Sequence, residues 1–282
     1  MAIWKSYRIA DIVREIQDKR FVIPSFQRQF IWGEDKINLL FDTVLKGDSF
    51  GGIMVVEEEK GARPLFLYKP FTNTLVPSEF YDFDKLSQQQ YLVIDGQQRL
   101  TSFYLGLTGH FNSKILHFDL FSDYRGNYEF CFTKKLRDEP SHTDSFRIIN
   151  RSLWFSVPDL FHRLLDTNDE ELVAEEIIEH NCIENSNEIS HIFKNVKSFY
   201  KNIITAESLG VSKVMINSHL GDSANKQRIV ELHRRLNESG VQVSTADFRA
   251  NIIKSRASEK ERDNEIRENL INYEERHNEK LI

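Results

Sequence analysis

The chain has 282 residues, of which 40% are hydrophobic and 12% aromatic, and it carries a net charge of −6. Such a chain buries one large core or two modest ones, which excludes disorder of the whole, and its acidic balance excludes a global basic field that would hold nucleic acid by phosphate neutralisation alone. Any DNA contact is therefore local or made by a partner. Two cysteines, Cys131 and Cys182, are too few for a metal cluster or a disulfide framework and read as buried free thiols of a reducing cytoplasm. No stretch approaches the roughly 20 apolar residues of a membrane helix, and the N-terminus does not resemble a signal peptide, so a cytoplasmic protein without a membrane partner is expected.

Ile9, Ile12, Val13 and Ile16 recur at helical spacing behind Ser6 as a cap and predict a short helix before a strand at Phe21-Val22-Ile23. Pro24 ends that strand. It opens the aromatic stretch Pro24-Ser25-Phe26-Gln27-Arg28-Gln29-Phe30-Ile31-Trp32, whose rings suit packing of a loop onto the core. Ile37, Leu40, Phe41, Val44 and Leu45 form the apolar face of a helix over 34–46, stopped by Gly47. Gly51-Gly52 then turns into a strand at Ile53-Met54-Val55-Val56, and Phe66-Leu67-Tyr68 predicts another. A polar loop runs to Gln90.

The stretch Tyr91-Leu92-Val93-Ile94-Asp95-Gly96-Gln97-Gln98-Arg99-Leu100-Thr101 is the centre of the chain. Four largely apolar residues run into Asp-Gly and then into a helical pattern, giving a buried strand, a tight turn and a helix start. A helix opening at Gly96 or Gln97 aims its first N–H groups and the positive end of its dipole at the turn, which suits a phosphate or another anion. Arg99 would add a bidentate donor for phosphate oxygens, and Asp95 could hold a metal ion or orient a water. A bland alternative, an Asp cap before an ordinary amphipathic helix, explains the spacing equally well.

Leu100, Phe103, Tyr104 and Leu107 continue that helix to Gly109, and segments 114–120 and 127–132 predict a hairpin around Ser122–Gly126, with a small basic cluster at Lys134, Lys135 and Arg137 beyond it. Residues 138–146 read as loop. Helices follow over 158–165, 169–180 and about 186–209, and Val211–Ile216 reads as a short strand. Leu232 to Asp247 reads as a helix ending at Gly240, a crossing, and a new helix capped by Ser244. The tail from Lys254 to Lys280 interleaves acids and bases like a solvated helix.

Three stretches carry a family resemblance. Asp95-Gly96-Gln97-Gln98-Arg99 resembles the signature of the ParB/sulfiredoxin-like domain at the N-terminus of GmrSD-type restriction endonucleases. Pro24-x-x-Gln27-Arg28-x-x-x-Trp32 is similar to that family's first motif, in which the arginine faces nucleotide phosphates. Arg235-Leu236-Asn237, Gly240, Ser244 and Asp247 look like its later block, with Glu238 where a small residue is commoner. The resemblance covers roughly residues 10 to 255.

What it implies is an α+β fold: a ParB/sulfiredoxin-like nucleotide-binding lobe over 1–140, a mostly helical lobe over 141–256 and a charged helix over 257–282. It also implies nucleoside triphosphate binding and hydrolysis in a GmrSD-like, type IV-like system of anti-phage defence. The cofactor site would comprise Gln27, Arg28, Gly96, Gln97, Gln98, Arg99 and Thr101. Asp95, Gln97, Gln98 and Arg99 would be catalytic, with Asp95 anchoring Mg²⁺ or another divalent cation. No nuclease block is seen in the chain, so DNA cleavage, including that of modified phage DNA, is expected from an HNH-nuclease partner subunit or a C-terminal nuclease domain. A homo-oligomer is left open. The alternative function is a nucleotide-gated, ParB-like DNA- or protein-binding switch without significant hydrolysis.

Overall fold

The structure is a computed structural model that describes residues 3–72, 84–134, 146–149, 152–216 and 221–236. In chain order the elements are β1 (Ile3–Tyr7), α1 (Ile9–Gln17), β2 (Phe21–Pro24), α2 (Glu34–Leu45), β3 (Ile53–Glu58), β4 (Tyr68–Lys69), β5 (Gln90–Asp95), α3 (Gln97–Thr108), β6 (Lys114–Asp119), β7 (Phe130–Lys134), β8 (Phe146–Ile149), β9 (Ser152–Ser156), α4 (Val157–Thr167), α5 (Glu170–His180), α6 (Ser186–Phe199), β10 (Leu209–Met215) and α7 (Asp222–Leu236). The fold is α+β, as the sequence predicts.

A six-stranded mixed sheet has the order β1-β10-β3-β5-β2-β4, and a second, antiparallel sheet has the order β7-β6-β9-β8. In the large sheet β5 runs parallel to β2 and antiparallel to β3, while β10 runs parallel to β3 and antiparallel to β1. These directions bring the ends of β2 and β5 and the beginnings of β3 and β10 to one edge of the sheet. That edge carries the candidate site.

Burial follows the predicted periodicities. Ile9, Ile12, Val13 and Ile16 place one stripe of α1 in the core, against a cluster that also holds Ile53, Val55, Val93, Leu100, Phe103 and Val211. The other face of the sheet carries Val22, Val56, Leu92 and Ile94, covered by Ile229 and Val230 of α7. The larger cluster runs from Ile9 to Val211, and β10 lies between β1 and β3. Among the described residues the core therefore does not part near residue 140.

Several local expectations are revised. Ser6 lies in β1, so α1 starts instead after Arg8, whose guanidinium pairs with Asp11 at 2.6 Å. The helix expected to reach Leu209 leaves α geometry at Phe199, continues as a π-helical turn over Tyr200–Thr205 and ends at Ala206, whose N–H bonds the Lys201 carbonyl at 2.7 Å. Cys182 is exposed and Cys131 half-buried, so neither is a buried thiol, and burial with nearby Asp119 and Glu34 pushes the Cys131 thiol up to about 11. Lys135, Arg137, Asn237, Gly240, Ser244, Asp247 and the tail over 257–282 lie outside the described residues.

The helical part is fastened to the second sheet by a buried amide. Asn195 of α6 is fully buried, and its Nδ2 donates to the carbonyls of Leu120 and Ser122 at 2.9 and 3.0 Å. Asn195→Ala leaves two buried acceptors without their donor, at a cost of about 2 kcal/mol, so the melting temperature should fall by roughly 4–8 °C in calorimetry. An unchanged melting temperature would show that water replaces the amide.

Candidate functional site

Val93 and Ile94 are fully buried, and Asp95 ends β5 with its side chain 43% exposed. Gly96 then adopts φ +89° as the N-cap of α3, and no side chain caps that helix. The N–H groups of the first helical turn accordingly have no intrahelical acceptor, and the positive end of the helix dipole faces the turn. Glycine is required here on two counts. The φ is left-handed, and a Cβ would collide with the side chain of Ile53.

Arg99, one turn into α3, folds back over this helix start. Its NH1 donates to the Phe50 carbonyl at 2.9 Å, while NH2 lies 3.6 Å from Asp95 Oδ2, beyond direct hydrogen-bond distance. Burial pushes the guanidinium down from its usual pKa, and the Asp95 charge offsets part of that. Space for the guanidinium comes from Gly51, at φ +84°, where a Cβ would run into Arg99.

The loop after β2 is bound to this turn by three glutamines. Gln98 donates from Nε2 to the Gln29 carbonyl at 3.0 Å and accepts the Ile31 N–H at Oε1 at 2.9 Å. Gln97 Nε2 donates to the Arg28 carbonyl at 2.9 Å. In return, Gln27 Nε2 donates to the carbonyls of Val93 and Ile94 at 3.2 and 3.0 Å, and Lys69 holds the carbonyl of Gln27. The two motif stretches are thus hydrogen-bonded to each other, with the Nε2 groups of Gln97 and Gln98 committed to loop carbonyls.

The remaining candidates divide. Arg28 has its backbone anchored and its side chain exposed, with no hydrogen bond or ion pair among the described residues. Thr101 is fully buried within α3, away from the solvent-facing mouth of the turn. Its Oγ1 and the Oε1 of Gln97, one helical turn earlier, are both buried without a hydrogen-bond partner. Asp95 is the sole acidic group among the candidates, and the described residues contain no cluster of three or more His, Cys, Asp and Glu side chains placed to share a metal.

Three contributors escaped the sequence reading. Phe50 supplies the carbonyl that holds Arg99, and Ile31 supplies the N–H read by Gln98. His233 of α7, buried, donates from Nδ1 to the Ile94 carbonyl at 2.8 Å, immediately before Asp95. Of these, only Phe50 had a signal beside it, the Gly51-Gly52 pair read as a turn into a strand.

With this geometry in view, the comparison with known proteins is decisive. A family model described as GmrSD restriction endonuclease, N-terminal domain, matches residues 9–254. The chain belongs to this family. The matched span takes in the loop after β2, the β5–α3 turn and α7. Over 101 residues the chain is also 30% identical to an uncharacterized protein of Methanocaldococcus jannaschii, a match that takes 35% of this chain and 16% of that protein. No helix among the described residues is long and apolar enough to cross a membrane.

The seating of Arg99 against Gly51 is testable with a matched control. An alanine at either Gly51 or Gly47, which has φ +77° and open space around it, pays a left-handed strain of about 1–2 kcal/mol. Gly51→Ala should lose at least as much stability as Gly47→Ala in denaturant titrations, since it also disturbs the Arg99–Phe50 hydrogen bond. Gly51→Ala alone should shift the Arg99 side-chain Nε resonance, since only its methyl displaces the guanidinium; equal spectra would show that Arg99 is not seated there.

Proposed function

We propose that this domain binds a nucleoside triphosphate at the β5–α3 turn and hydrolyses it, and that the resulting change of state licenses DNA cleavage by an HNH-nuclease partner subunit or a nuclease domain elsewhere in the protein. The observation that carries the reading is the uncapped start of α3 at left-handed Gly96 with the Arg99 guanidinium held above it. Unsatisfied N–H groups, a helix dipole and a preorganised planar cation on one spot fit phosphate oxygens.

In this mechanism the backbone N–H groups of Gln97, Gln98 and Arg99 donate to the phosphates. Arg99 and, from the adjoining loop, Arg28 neutralise charge that grows on the transferring phosphoryl group. Asp95 fits a divalent cation: it is half-exposed at the turn, and Mg²⁺ typically takes one or two carboxylates and completes its shell with waters and phosphates. Bound there, the ion would supply further positive charge to the phosphates. The side chains of Gln97 and Gln98 fix the loop that carries Arg28; Gln98 has both ends of its amide committed there and would have to release a loop partner to orient a water, while Gln97 keeps only its buried Oε1 uncommitted.

That last observation favours a second reading, a ParB-like nucleotide-gated DNA- or protein-binding switch without significant turnover. Calorimetry with the four nucleoside triphosphates and Mg²⁺, alongside steady-state phosphate release, tests both. Binding of at least one nucleotide is expected, and silence with all four overturns the proposal. Arg99→Ala should slow hydrolysis on the order of 10²-fold with a smaller effect on affinity, because the charge it meets develops in the transition state. Arg99→Lys should recover little, since a point charge cannot reproduce the fork. Equal losses of binding and turnover would select the switch.

A further inference from the structure

A polar cleft of about 490 Å³ opens between the end of α2, the loop joining β6 to β7 and the last turns of the α6 region. Its walls are cross-linked. Lys46 Nζ, paired with Asp42 at 2.8 Å, also donates to Asn127 Oδ1 at 2.6 Å, and the Tyr128 hydroxyl donates to Ser198 Oγ at 2.9 Å. Asn202 Nδ2 reaches the Leu45 carbonyl at 2.9 Å. Since Asn195 binds the same loop through the carbonyls of Leu120 and Ser122, the three walls are held as one unit.

The cleft gathers positive charge in a chain whose net charge is −6. Lys194, Ser198 and Lys201 follow at steps of four and three residues, which puts them on one stripe of α6 and its π-helical continuation. Arg125 stands on the facing loop, and all three cations are exposed. Tyr124 holds two of them together. Lys194 Nζ donates to its hydroxyl at 2.7 Å and lies 4.3 Å from its ring centroid, with the Arg125 guanidinium carbon 5.4 Å from that centroid. Asp48 is the one acid lining the cleft among the described residues, and the nearby Asp42 and Asp123 are bound to Lys46 and to the Arg125 N–H. The negative end of the α2 dipole is covered too, because the carbonyls of Thr43, Val44 and Leu45 accept from Asp48, Gly47 and Asn202.

Lys194 and Lys201 are spread over about 10 Å of helix axis, seven residues at about 1.5 Å each, with Arg125 on the opposite wall. Cations laid out along a groove suit a repeating polyanion better than a single phosphate group. We infer that this cleft docks the phosphate backbone of duplex DNA, with Arg125, Lys194 and Lys201 as its contacts and no reading of bases. DNA is the polyanion because the proposed function sets a DNA-cutting nuclease beside this domain, and the inference rests on that half of the reading alone. From Asp48, two further residues lead to Phe50, whose carbonyl holds Arg99.

The test is fluorescence anisotropy of a labelled duplex at salt from about 50 to about 200 mM. Three proteins are compared: the wild-type chain, the double variant Arg125→Ala with Lys201→Ala, and Lys60→Ala, an exposed cation beyond the end of β3. Wild type should bind two unrelated sequences alike, in the micromolar range at low salt. Its log affinity should fall against log salt with a slope of about −3, three phosphates at about 0.9 each. The double variant should bind about 10-fold or more weakly with a slope near −1, and Lys60→Ala should match the wild type. Melting temperatures should agree, because the altered side chains are exposed; if the double variant melts early, Arg125→Gln and Lys201→Gln singly should each lower the slope by about 1. Absence of binding at about 50 mM salt overturns the inference, as does an equal loss in Lys60→Ala. An unchanged slope in the double variant, with DNA still bound, rejects the cleft while leaving the DNA reading in place. Tighter binding of duplex RNA or polyglutamate than of DNA overturns both.

Discussion

The candidate site depends on amide side chains replacing backbone partners. The segment after β2 is not a strand at residues 25–33, so its carbonyls and N–H groups need acceptors and donors from elsewhere, and leaving them buried and unmet would cost about 1–3 kcal/mol each. Gln98 meets one of each, much as a neighbouring strand would, and Gln97 meets the carbonyl next to it. Gln27 reciprocates by reaching the carbonyls of Val93 and Ile94 at the end of β5. Because contacts run both ways, the loop bearing Arg28 and the helix bearing Arg99 are held as one piece. Replacing any of these glutamines with a residue of similar hydrophobicity would keep the packing and lose the register.

The same strand end also receives the distant part of the chain. His233 donates to the Ile94 carbonyl, its ring 5.3 Å from that of Phe26, while Ile229 and Val230 of α7 cover Ile94 and its neighbours. Arg235, in contrast, stands in solvent and pairs with Glu231 at 2.8 Å. Within the described portion of the later motif block, the link to the turn is therefore made by a neighbour of the motif and not by its arginine. Two adjacent residues, Ile94 and Asp95, thus face α7 and Arg99 respectively, so a displacement of the turn is felt on both faces of the sheet.

What could be read from the sequence was whatever depends on local period. α1, α2 and α3 show their apolar stripes directly, and β5 is an apolar run ending in a turn pair. β1 and β9 were not legible. Ile3–Tyr7 mixes Lys5 and Ser6 with aromatics at an edge where no face is fully buried, and Ser152–Ser156 offers only Leu153 and Phe155 to the core. Their strand character comes from pairing with β10 and β6, which lie far away in sequence. The candidate residues stood out as a set because a family signature names them. Their division of labour was not, since nothing in Gln-Gln distinguishes an amide aimed at a ligand from one bonded to a loop carbonyl.

Arg99 shows why the division matters. Its NH1 is committed to the Phe50 carbonyl, which fixes the plane of the guanidinium, while NH2 faces Asp95 at a separation too long for a good hydrogen bond and on the more exposed side. A group already oriented in this way needs little reorganisation when charge develops nearby, which is the condition under which electrostatic stabilisation is large. On the proposed reading, the weak Asp95 contact is the part that a phosphate oxygen would replace, leaving the carboxylate to serve a cation. On the proposed reading, then, the ion pair is an occupant of the site in its resting state, and the Phe50 bond is what keeps Arg99 in place through both states.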